Sequence, residues 1–343
     1  MGGGTTEIMS SPSWIYDFDC ANLNRMSGNS KNEHLSKESF LERVARMYYV
    51  LGMSQQEISV QLNIGRSSVS RFLNEARERG IVQIQIRSDL DSCRHEPLER
   101  KLAKLYGLKD CVVFRGDQSA NPFEALATQY LDSVLPSHGA IGLGWGKTLN
   151  AIGTQLHLCD SRPGLKIFQL IGGFGAKEDQ IPASSVIQMW AQALRGKAHL
   201  FPAPAIAGSA ESKESFMQDP SIQEIMDEIR KMETIVFGIG HAGEDSTLLA
   251  LNMVSGLTYE ELNGASVGEI LFHCFDKQGK FSLPRISERV VGTSKEDLMN
   301  IELRICVAQG ARKVQAISGA LKGKLLNVLI TTEETALQVL EIQ

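Results

Sequence analysis

The spacing of apolar residues changes once along the chain, near residue 88. Between residues 37 and 80, apolar side chains recur every three or four positions, which predicts short amphipathic helices. Beyond residue 107 they form short runs separated mostly by helical patterns, at 111–114, 140–144, 166–173, 198–201, 234–240, 289–292, 304–310 and 327–331. Strands that alternate with helices predict a mostly parallel sheet with helices on both faces. The predicted fold class is therefore α/β, preceded by a small helical unit.

Residues 54–80 predict two helices joined by a tight turn. Ser54 and Glu57 form a capping box that begins the first helix, and Gly80 ends the second. Between them, Asn63-Ile64-Gly65 interrupts the pattern, and we expect Gly65 to supply the positive φ of the turn. Two short helices in this arrangement are typical of a helix-turn-helix unit, whose second helix lies in the major groove of DNA.

The outward face of the second helix is rich in hydrogen-bond donors, whereas Val69, Phe72 and Leu73 define its buried face. A merely solvated helical hairpin is the simpler interpretation, but such a surface usually mixes Glu and Lys. Here serines and arginines cluster in the first two turns, the end of the helix that enters the groove. We therefore predict that this unit binds operator DNA. The residues expected at that interface are Gln55, Arg66, Ser67, Ser68, Ser70, Arg71 and Asn74.

The flanking sequence completes the predicted domain plan. Residues 1–36 lack periodicity and predict a disordered tail, with a first helix directly after it. Residues 82–87 alternate apolar and polar side chains, as the strand of a wing would. Residues 37–88 are thus predicted to form a winged helix-turn-helix domain, and residues 89–343 an effector-binding and oligomerisation domain.

Charge and cysteine content agree with a regulator that acts inside the cell. The net charge of the chain is −5, but residues 37–87 carry +3, so the remainder carries −8. A small cationic module on an acidic body suits a DNA-binding protein whose body does not adhere to DNA. The six cysteines lack C-x-x-C spacing, which predicts reduced thiols in a cytoplasm and no zinc site. No signal peptide or membrane-length apolar run is visible, so no membrane partner is predicted.

Several predicted strands end in glycine, at the edge where parallel sheets bind their ligands. Residues 142–148 nearly match a phosphate-binding P-loop but have one residue too few between its glycines, which disfavours a nucleotide triphosphatase. Residues 172–175 form a second glycine loop. Residues 238–243 match G-x-G-x-x-G, so a dinucleotide site is an alternative, although this motif comes late in its domain. Tight turns between strands and helices are the simpler interpretation of all three loops.

Signatures of catalysis are sparse. No histidine belongs to a metal-binding or nucleophile-elbow motif, and neither a cofactor nor a metal ion is predicted. His241 lies in the third glycine loop, where it could contact a ligand or a neighbour within the loop. Glu269 precedes an apparent strand and could bind sugar hydroxyls or cap a turn. As general base and acid, Glu269 and His241 would define the alternative function, a sugar-phosphate isomerase or deaminase with an accessory DNA-binding module.

The chain resembles the SorC family of bacterial sugar-responsive transcriptional regulators from about residue 37 to residue 343. The matching motifs in this sequence are ARMYYVLGMSQQEISVQLNIGRSSVSRFLNEARERGIVQIQI, GLGWGKTL, FQLIGGFG, FGIGHAGEDSTLL, GEILFHCFDKQGK and VAQGARKVQAISGALKGKLLNVLITTEETALQVL. The resemblance implies a Rossmann-like effector domain shaped like sugar-phosphate isomerases and deaminases, without enzymatic activity. It also implies a homo-oligomer, typically a tetramer, that binds operator DNA under the control of a phosphorylated sugar or related metabolite.

The resemblance also implies which residues hold the effector. A loop of five residues and a glycine pair would cradle the ligand: Gly144, Trp145, Gly146, Lys147, Thr148, Gly172 and Gly173. Glu269 would bind sugar hydroxyls and Lys313 would pair with a phosphate. The sequence departs from the family pattern at Gln309 and Thr332. Both changes lie near the expected pocket and point to an unusual effector, such as a polyol or an unphosphorylated sugar.

Overall fold

A computed structural model describes residues 30–82, 92–116, 122–174, 181–252 and 254–342. It divides the chain into two compact units, Met1–Arg87 and Ser88–Gln343. Within the described ranges, no helix combines the length and apolar composition that crossing a bilayer requires.

In residues 30–82, the described part of the first unit, there are three helices, α1 (Ser30–Tyr49), α2 (Gln55–Leu62) and α3 (Arg66–Glu78). Their apolar faces enclose a small core made of Val44, Met47, Ile58, Leu62, Val69 and Leu73. The predicted tail was too long, because α1 begins at Ser30. No glycine or proline occurs between residues 30 and 49 to interrupt helical hydrogen bonding. Most of the predicted wing, residues 83–87, lies outside the described residues.

The turn between α2 and α3 differs from its prediction. Asn63, not Gly65, takes the left-handed conformation, with φ of 50° and ψ of 46°. Gly65 precedes α3 in an extended conformation, with φ of −64° and ψ of 143°. Asparagine adopts the left-handed conformation more readily than most other residues with a side chain. The chain can therefore turn at Asn63, two residues before Gly65. The Ser59 hydroxyl donates to the Ile64 carbonyl at 2.7 Å and closes the turn.

The second unit is built on a parallel sheet. In chain order its strands are β1 (Asp110–Phe114), β2 (His138–Leu143), β3 (Gly164–Gln169), β4 (Lys197–His199), β5 (Thr234–Phe237), β6 (Gly240–His241), β7 (Gly268–Ile270), β8 (His273–Phe275), β9 (Leu303–Val307) and β10 (Val328–Thr332). The large sheet has the order β1-β10-β9-β5-β2-β3-β4, and its described pairings are all parallel. Strands β6, β7 and β8 form a separate antiparallel sheet.

Helices cover both faces of the large sheet, as predicted. In chain order, the described helices of this unit are α4 (Glu96–Tyr106), α5 (Phe123–Val134), α6 (Lys147–Gln155), α7 (Ala183–Ala193), α8 (Ala210–Met217), α9 (Pro220–Arg230), α10 (Thr247–Ala250), α11 (Tyr259–Ala265), α12 (Pro284–Ser287), α13 (Lys295–Asn300), α14 (Val314–Lys322) and α15 (Glu333–Glu341). Alternate residues of a strand face opposite sides. Val236 therefore packs in one core with α5, α6 and α7, whereas Ile235 and Phe237 pack in the other with α4, α9, α14 and α15.

Two predicted strands have a different structure. Residues 289–292 are not a strand of the large sheet; they make isolated bridges to Ile171 and Ile206. The apparent strand after Glu269 is a hairpin, in which β7 and β8 are joined by Leu271 and Phe272 with φ of 51° and 62°. Positive φ at both central residues is the geometry of tight hairpin turns. Sequence patterns miss this turn because it contains no glycine, asparagine or aspartate.

Candidate DNA-binding face and effector site

Helix α3 presents the predicted DNA-binding residues to solvent. Arg66, Ser67, Arg71 and Asn74 are exposed, while Ser68 and Ser70, and Gln55 on α2, are half-buried. Ser67, Ser70, Arg71 and Asn74 line one shallow groove along the helix. Because Val69, Leu73 and Ala76 are buried on the opposite side, the donor-rich face is held outward by the core of the unit.

Not every cation near α3 is available to a polyanion. Glu75 accepts ion pairs from Lys37 at 2.8 Å and from Arg79 at 2.6 Å, and the Lys37 hydrogen bond is the main cause of its lowered pKa. Within the described residues Arg66 and Arg71 make no ion pair, and the Arg71 guanidinium lies 5.4 Å from the Phe72 ring centroid. Arg77 in the last turn makes no ion pair there either, but it donates a 2.8 Å hydrogen bond to the Tyr49 hydroxyl, so Arg66 and Arg71 are the α3 arginines without a polar side-chain partner in the described residues. The sequence alone did not show the role of Glu75.

The beginning of α3 also suits an anion. Gly65 is its N-cap residue and contributes no side-chain hydrogen bond to the first turn. The first N–H groups of a helix have no partner within the helix, and its dipole favours negative charge there. A DNA phosphate placed at this end would accept hydrogen bonds from the backbone while Arg66 pairs with it electrostatically.

The predicted effector residues lie where the large sheet changes direction. From β2 the chain continues outward to β3 and β4, whereas from β5 it continues to β9 and β10 on the other side. Strands β2 and β5 are neighbours, and the chain leaves them toward opposite sides of the sheet, an arrangement that commonly forms a crevice at the carboxyl ends of the two strands. In open α/β sheets this switch point is the usual ligand site. The crevice is bordered by residues 144–148 after β2 and residues 238–243 after β5.

The loop after β2 has an open helix terminus. The Gly144 N–H donates to the Val236 carbonyl at 2.8 Å, which ties the loop to the neighbouring strand. Gly146 has φ of 124°, a conformation that favours glycine, and it is the N-cap of α6 without a side-chain hydrogen bond. Lys147 is exposed and Thr148 half-buried in the first turn of that helix. This turn can therefore donate to an anion.

Three aromatic rings pack together beside this loop. The centroid of the Trp145 ring lies 4.7 Å from that of Phe272 and 5.4 Å from that of Phe174. Phe272 belongs to the hairpin turn and is fully buried, whereas Trp145 and Phe174 are half-buried. The cluster fixes the β7–β8 hairpin against the loop after β2. Sequence analysis did not predict the contact with Phe272, because it depends on the unrecognised turn.

The glycine pair after β3 has a role in packing. The Gly172 N–H donates to Val291 O at 2.9 Å, and the Gly173 N–H donates to Ala203 O at 2.8 Å. A Cβ on Gly172 would collide with the backbone of Pro204. Both N–H groups are thus already engaged in backbone hydrogen bonds, and Gly172 is required for the close approach of two segments. Binding of the effector by this pair stays a prediction.

Glu269 on β7 lies in register with Gly240 across the small sheet. One of its carboxylate oxygens accepts a 2.6 Å hydrogen bond from the Phe272 N–H. Burial raises the pKa of Glu269 to about 7, while this hydrogen bond and the nearby Lys313 ammonium act in the opposite direction. Burial of a carboxylate is unfavourable unless hydrogen bonds compensate for the lost water, and the hydroxyl groups of a ligand could donate such bonds to Glu269.

Lys313 lies at the end of a short 3₁₀ helix, Ala311–Lys313, directly before α14. Gly310, with φ of 100°, makes the turn that precedes it. Burial lowers the pKa of Lys313, and the Glu269 carboxylate is among the groups that act in the opposite direction. In the described part of the chain Lys313 makes no ion pair, so its ammonium can bind an anion. The structure thus brings Lys313 and Glu269 within electrostatic range.

His241 is directed away from Glu269. Its side chain and that of Glu269 lie on opposite faces of the small sheet, because His241 pairs with Gly268 and successive residues alternate. Nε2 of His241 lies 2.8 Å from Asp245 Oδ1, and Asp245 is also paired with Arg312. The proposed acid–base pairing of His241 with Glu269 is therefore wrong for this geometry. No motif in the sequence predicts the His241–Asp245–Arg312 cluster.

The two departures from the family pattern take part in hydrogen bonds between elements. Gln309 donates to Glu124 Oε1 at 3.4 Å. The Gly310 N–H donates to the Thr335 hydroxyl at 2.9 Å, and the Thr332 hydroxyl lies 2.9 Å from the same oxygen. Both residues therefore help to position the segment before Lys313. Among the described residues, no group of three or more His, Cys, Asp or Glu side chains is arranged to hold a metal ion.

Comparison with known proteins agrees with this arrangement. The family model described as "Putative sugar-binding domain" (Sugar-bind) matches residues 93–341. The chain is 30% identical to the deoxyribonucleoside regulator of Bacillus subtilis (strain 168), over 88% of this chain and 96% of the relative. It is 28% identical to the transcriptional regulator LsrR of Enterobacter sp. (strain 638), over 90% and 94%.

Solved structures add a match that includes both units. The crystal structure of the full-length sorbitol operon regulator SorC from Klebsiella pneumoniae superposes with a TM-score of 0.64 at 26% identity. The match covers 89% of this chain and 99% of the solved chain. The chain belongs to the SorC family of transcriptional regulators, whose members carry this sugar-binding domain.

Proposed function

We propose that this protein regulates a carbohydrate operon by binding operator DNA through α3, and that a small carbohydrate in the crevice above β2 and β5 changes its DNA affinity. The observation that carries the proposal is the position of Glu269 and Lys313. Glu269 lies in register with Gly240 of the loop after β5, and Lys313 follows β9, the strand paired with β5. Both side chains are half-buried, and each can bind a ligand group.

A sugar phosphate is the effector class that this chemistry favours. The Glu269 carboxylate accepts hydrogen bonds from hydroxyl groups, and the Lys313 ammonium pairs with a phosphate. The uncapped first turn of α6, with exposed Lys147, offers a second source of donors for the same anion. An unphosphorylated sugar or polyol would use Glu269 but leave Lys313 without a partner charge.

The relatives support a carbohydrate-related ligand. One relative is named a deoxyribonucleoside regulator, and a relative of known structure is named a sorbitol operon regulator. These names point to different carbohydrate-related compounds. We propose the domain roles accordingly, with DNA binding in residues 37–88 and effector binding in residues 89–343. We also propose a cytoplasmic homotetramer, because symmetric oligomers bind operators with repeated half-sites.

A thermal-shift screen against sugars, polyols and their phosphates tests the proposal. Binding to the folded state raises apparent stability by mass action, so an effector raises the melting temperature. We expect sugar phosphates to stabilise the wild type and the Lys322→Ala variant, which changes an exposed lysine on α14. Lys313→Ala should lose that stabilisation. Stabilisation by phosphates that survives in Lys313→Ala, or stabilisation by none of the compounds, would contradict the proposed site.

A further inference from the structure

A cleft with a volume of about 760 Å³ lies elsewhere in the second unit. Helices α8 and α9, the segment 287–297 and His273 of β8 form its walls. It shares none of the predicted effector residues. Apolar Met226 and Val290 form part of the lining, and the other side chains are mostly polar or charged.

His273 in this wall is buried yet lacks one hydrogen bond. The residue is 3% exposed, and its Nε2 lies 2.9 Å from the carbonyl oxygen of Thr293. A carbonyl only accepts, so Nε2 carries the proton and Nδ1 of the neutral ring is an acceptor. Burial lowers the pKa of His273 to about 4, which keeps the ring neutral near pH 7. In the described part of the chain, Nδ1 has no partner.

The charges around His273 are mixed. Lys213, Lys295 and Glu296 lie close enough to influence its titration, and all three line the cleft. Arg230 is already paired with Asp297 at 3.4 Å. In the described residues Lys213 and Glu296 make no ion pair, so one donor and one acceptor remain available beside Nδ1. An excess of carboxylates over cations in the lining disfavours an anion.

A metal ion is also disfavoured, because the described residues contain no suitable group of ligands. A neutral hydroxyl-rich molecule fits better, since each hydroxyl can donate to a carboxylate or accept from a lysine. A hydroxyl inserted into the cleft wall would also supply the donor that the buried Nδ1 lacks. We propose that this cleft is a second small-molecule site, independent of the crevice, which binds an unphosphorylated polyol or similar neutral compound.

The small sheet separates the two sites. Glu269 pairs with Cys274, and His273 pairs with Ile270, so Glu269 and His273 project from opposite faces of the β7–β8 hairpin. A ligand in the crevice and a ligand in the cleft would therefore contact the same hairpin from two sides. Each site can be disabled without changing a residue of the other.

Calorimetric titration of the full-length protein with ribitol and with sorbitol tests the second site. The two cleft variants are Lys213→Ala and His273→Gln. The glutamine amide can still donate to the Thr293 carbonyl but lacks the Nδ1 acceptor. The crevice variant is Glu269→Ala, because Glu269 is the residue that an uncharged ligand of the crevice would use, and Lys322→Ala is the surface control. We expect saturable binding of at least one polyol, weakened about tenfold by each cleft variant and unchanged by the other two.

Three results would overturn the proposal. These are no saturable binding of either polyol, equal affinity in both cleft variants and the wild type, or loss of binding in Glu269→Ala. The last result would place the polyol in the crevice. If His273→Gln does not fold, Lys213→Ala decides the question, because its half-exposed side chain is not part of a core. Failure of polyol binding leaves the response to sugar phosphates, and so the proposed function, unaffected.

Discussion

Glu269 and Gly240 face each other across the β6–β7 pair, and the Glu269 carboxylate occupies the space that a side chain at position 240 would need. Packing against Glu269 therefore explains why position 240 is a glycine, without any need for a bound dinucleotide. Gly243 has one as well, because a Cβ there would lie 2.9 Å from the His241 ring. Two of the three glycines of the G-x-G-x-x-G match at 238–243 are thus explained by close packing around Glu269 and His241.

Replacement of Gly240 by alanine should displace the Glu269 carboxylate. We expect Gly240→Ala to lower the free energy of unfolding by about 1–3 kcal/mol through overpacking and to weaken effector binding. Gly238→Ala is the matched control, because the nearest atom to its new Cβ would be Val307 O at 3.8 Å. Denaturant unfolding and a ligand titration on both variants measure the difference. Similar losses in the two variants would argue against the displacement.

The raised pKa of Glu269 makes stability depend on pH. Its pKa rises from 4.5 to about 7 on folding, so the folded state retains a proton that the unfolded state has lost between these values. The wild type should therefore lose stability as pH rises from about 4.5 through about 7, by at most ~3 kcal/mol. Glu269→Gln lacks this titration.

The measurement is the difference in unfolding free energy between Glu269→Gln and the wild type at pH 5 and at pH 8. We expect the variant to gain relative stability at pH 8. Other groups, including His273, titrate in both proteins and cancel in the difference. If the difference in unfolding free energy is the same at pH 5 and pH 8, the pKa of Glu269 is not raised by folding.

The arginines of α3 should differ in their importance for DNA binding. Arg71 is free of ion pairs in the described residues, whereas Arg79 is paired with Glu75 at 2.6 Å. We expect Arg71→Ala to weaken operator binding by about 1–3 kcal/mol if it reads a base, and Arg79→Ala to have a smaller effect. Fluorescence anisotropy on a DNA sequence enriched by the protein itself measures both. Equal affinity for all three proteins would exclude Arg71 from the interface.

The turn before α3 gives a test of stability. Asn63→Gly should leave stability unchanged or raise it slightly, and Asn63→Ala should cost about 1 kcal/mol, because Asn63 has φ of 50°. Gly65→Ala should be tolerated, since its φ is −64° and the nearest atoms to a new Cβ lie 3.7 Å away. Thermal unfolding of the three variants distinguishes this turn from the one that the sequence predicted. Severe destabilisation by Gly65→Ala would show that the glycine is required.

Long periodic segments and interactions between close neighbours in the chain were predictable from the sequence. The capping box at Ser54 and Glu57 is present, with hydrogen bonds of 2.8 and 3.2 Å, because it depends on neighbours three residues apart. The position of the large-sheet strands followed from their continuous apolar runs, as burial on both faces requires. The family motifs also led to residues 144–148 at the switch point of the sheet.

The rest depended on contacts between distant segments. The hairpin turn at Leu271 and Phe272 is imposed by packing of Phe272 against Trp145, so no local turn residue marks it. The pairing of His241 with Asp245 and Arg312 likewise joins two loops that are far apart in the chain. For the same reason the cleft beside His273 had no signature in the sequence.

A ligand bound near Lys313 should change the affinity of the protein for its operator. The most direct measurement is the operator Kd of the wild type and of Lys313→Ala, each with and without the sugar phosphate that stabilises the wild type. We expect both proteins to bind DNA equally without ligand, and the ligand to change the Kd of the wild type alone, by about tenfold. A sugar phosphate that binds the wild type but leaves its operator Kd unchanged would show that the ligand does not control DNA binding.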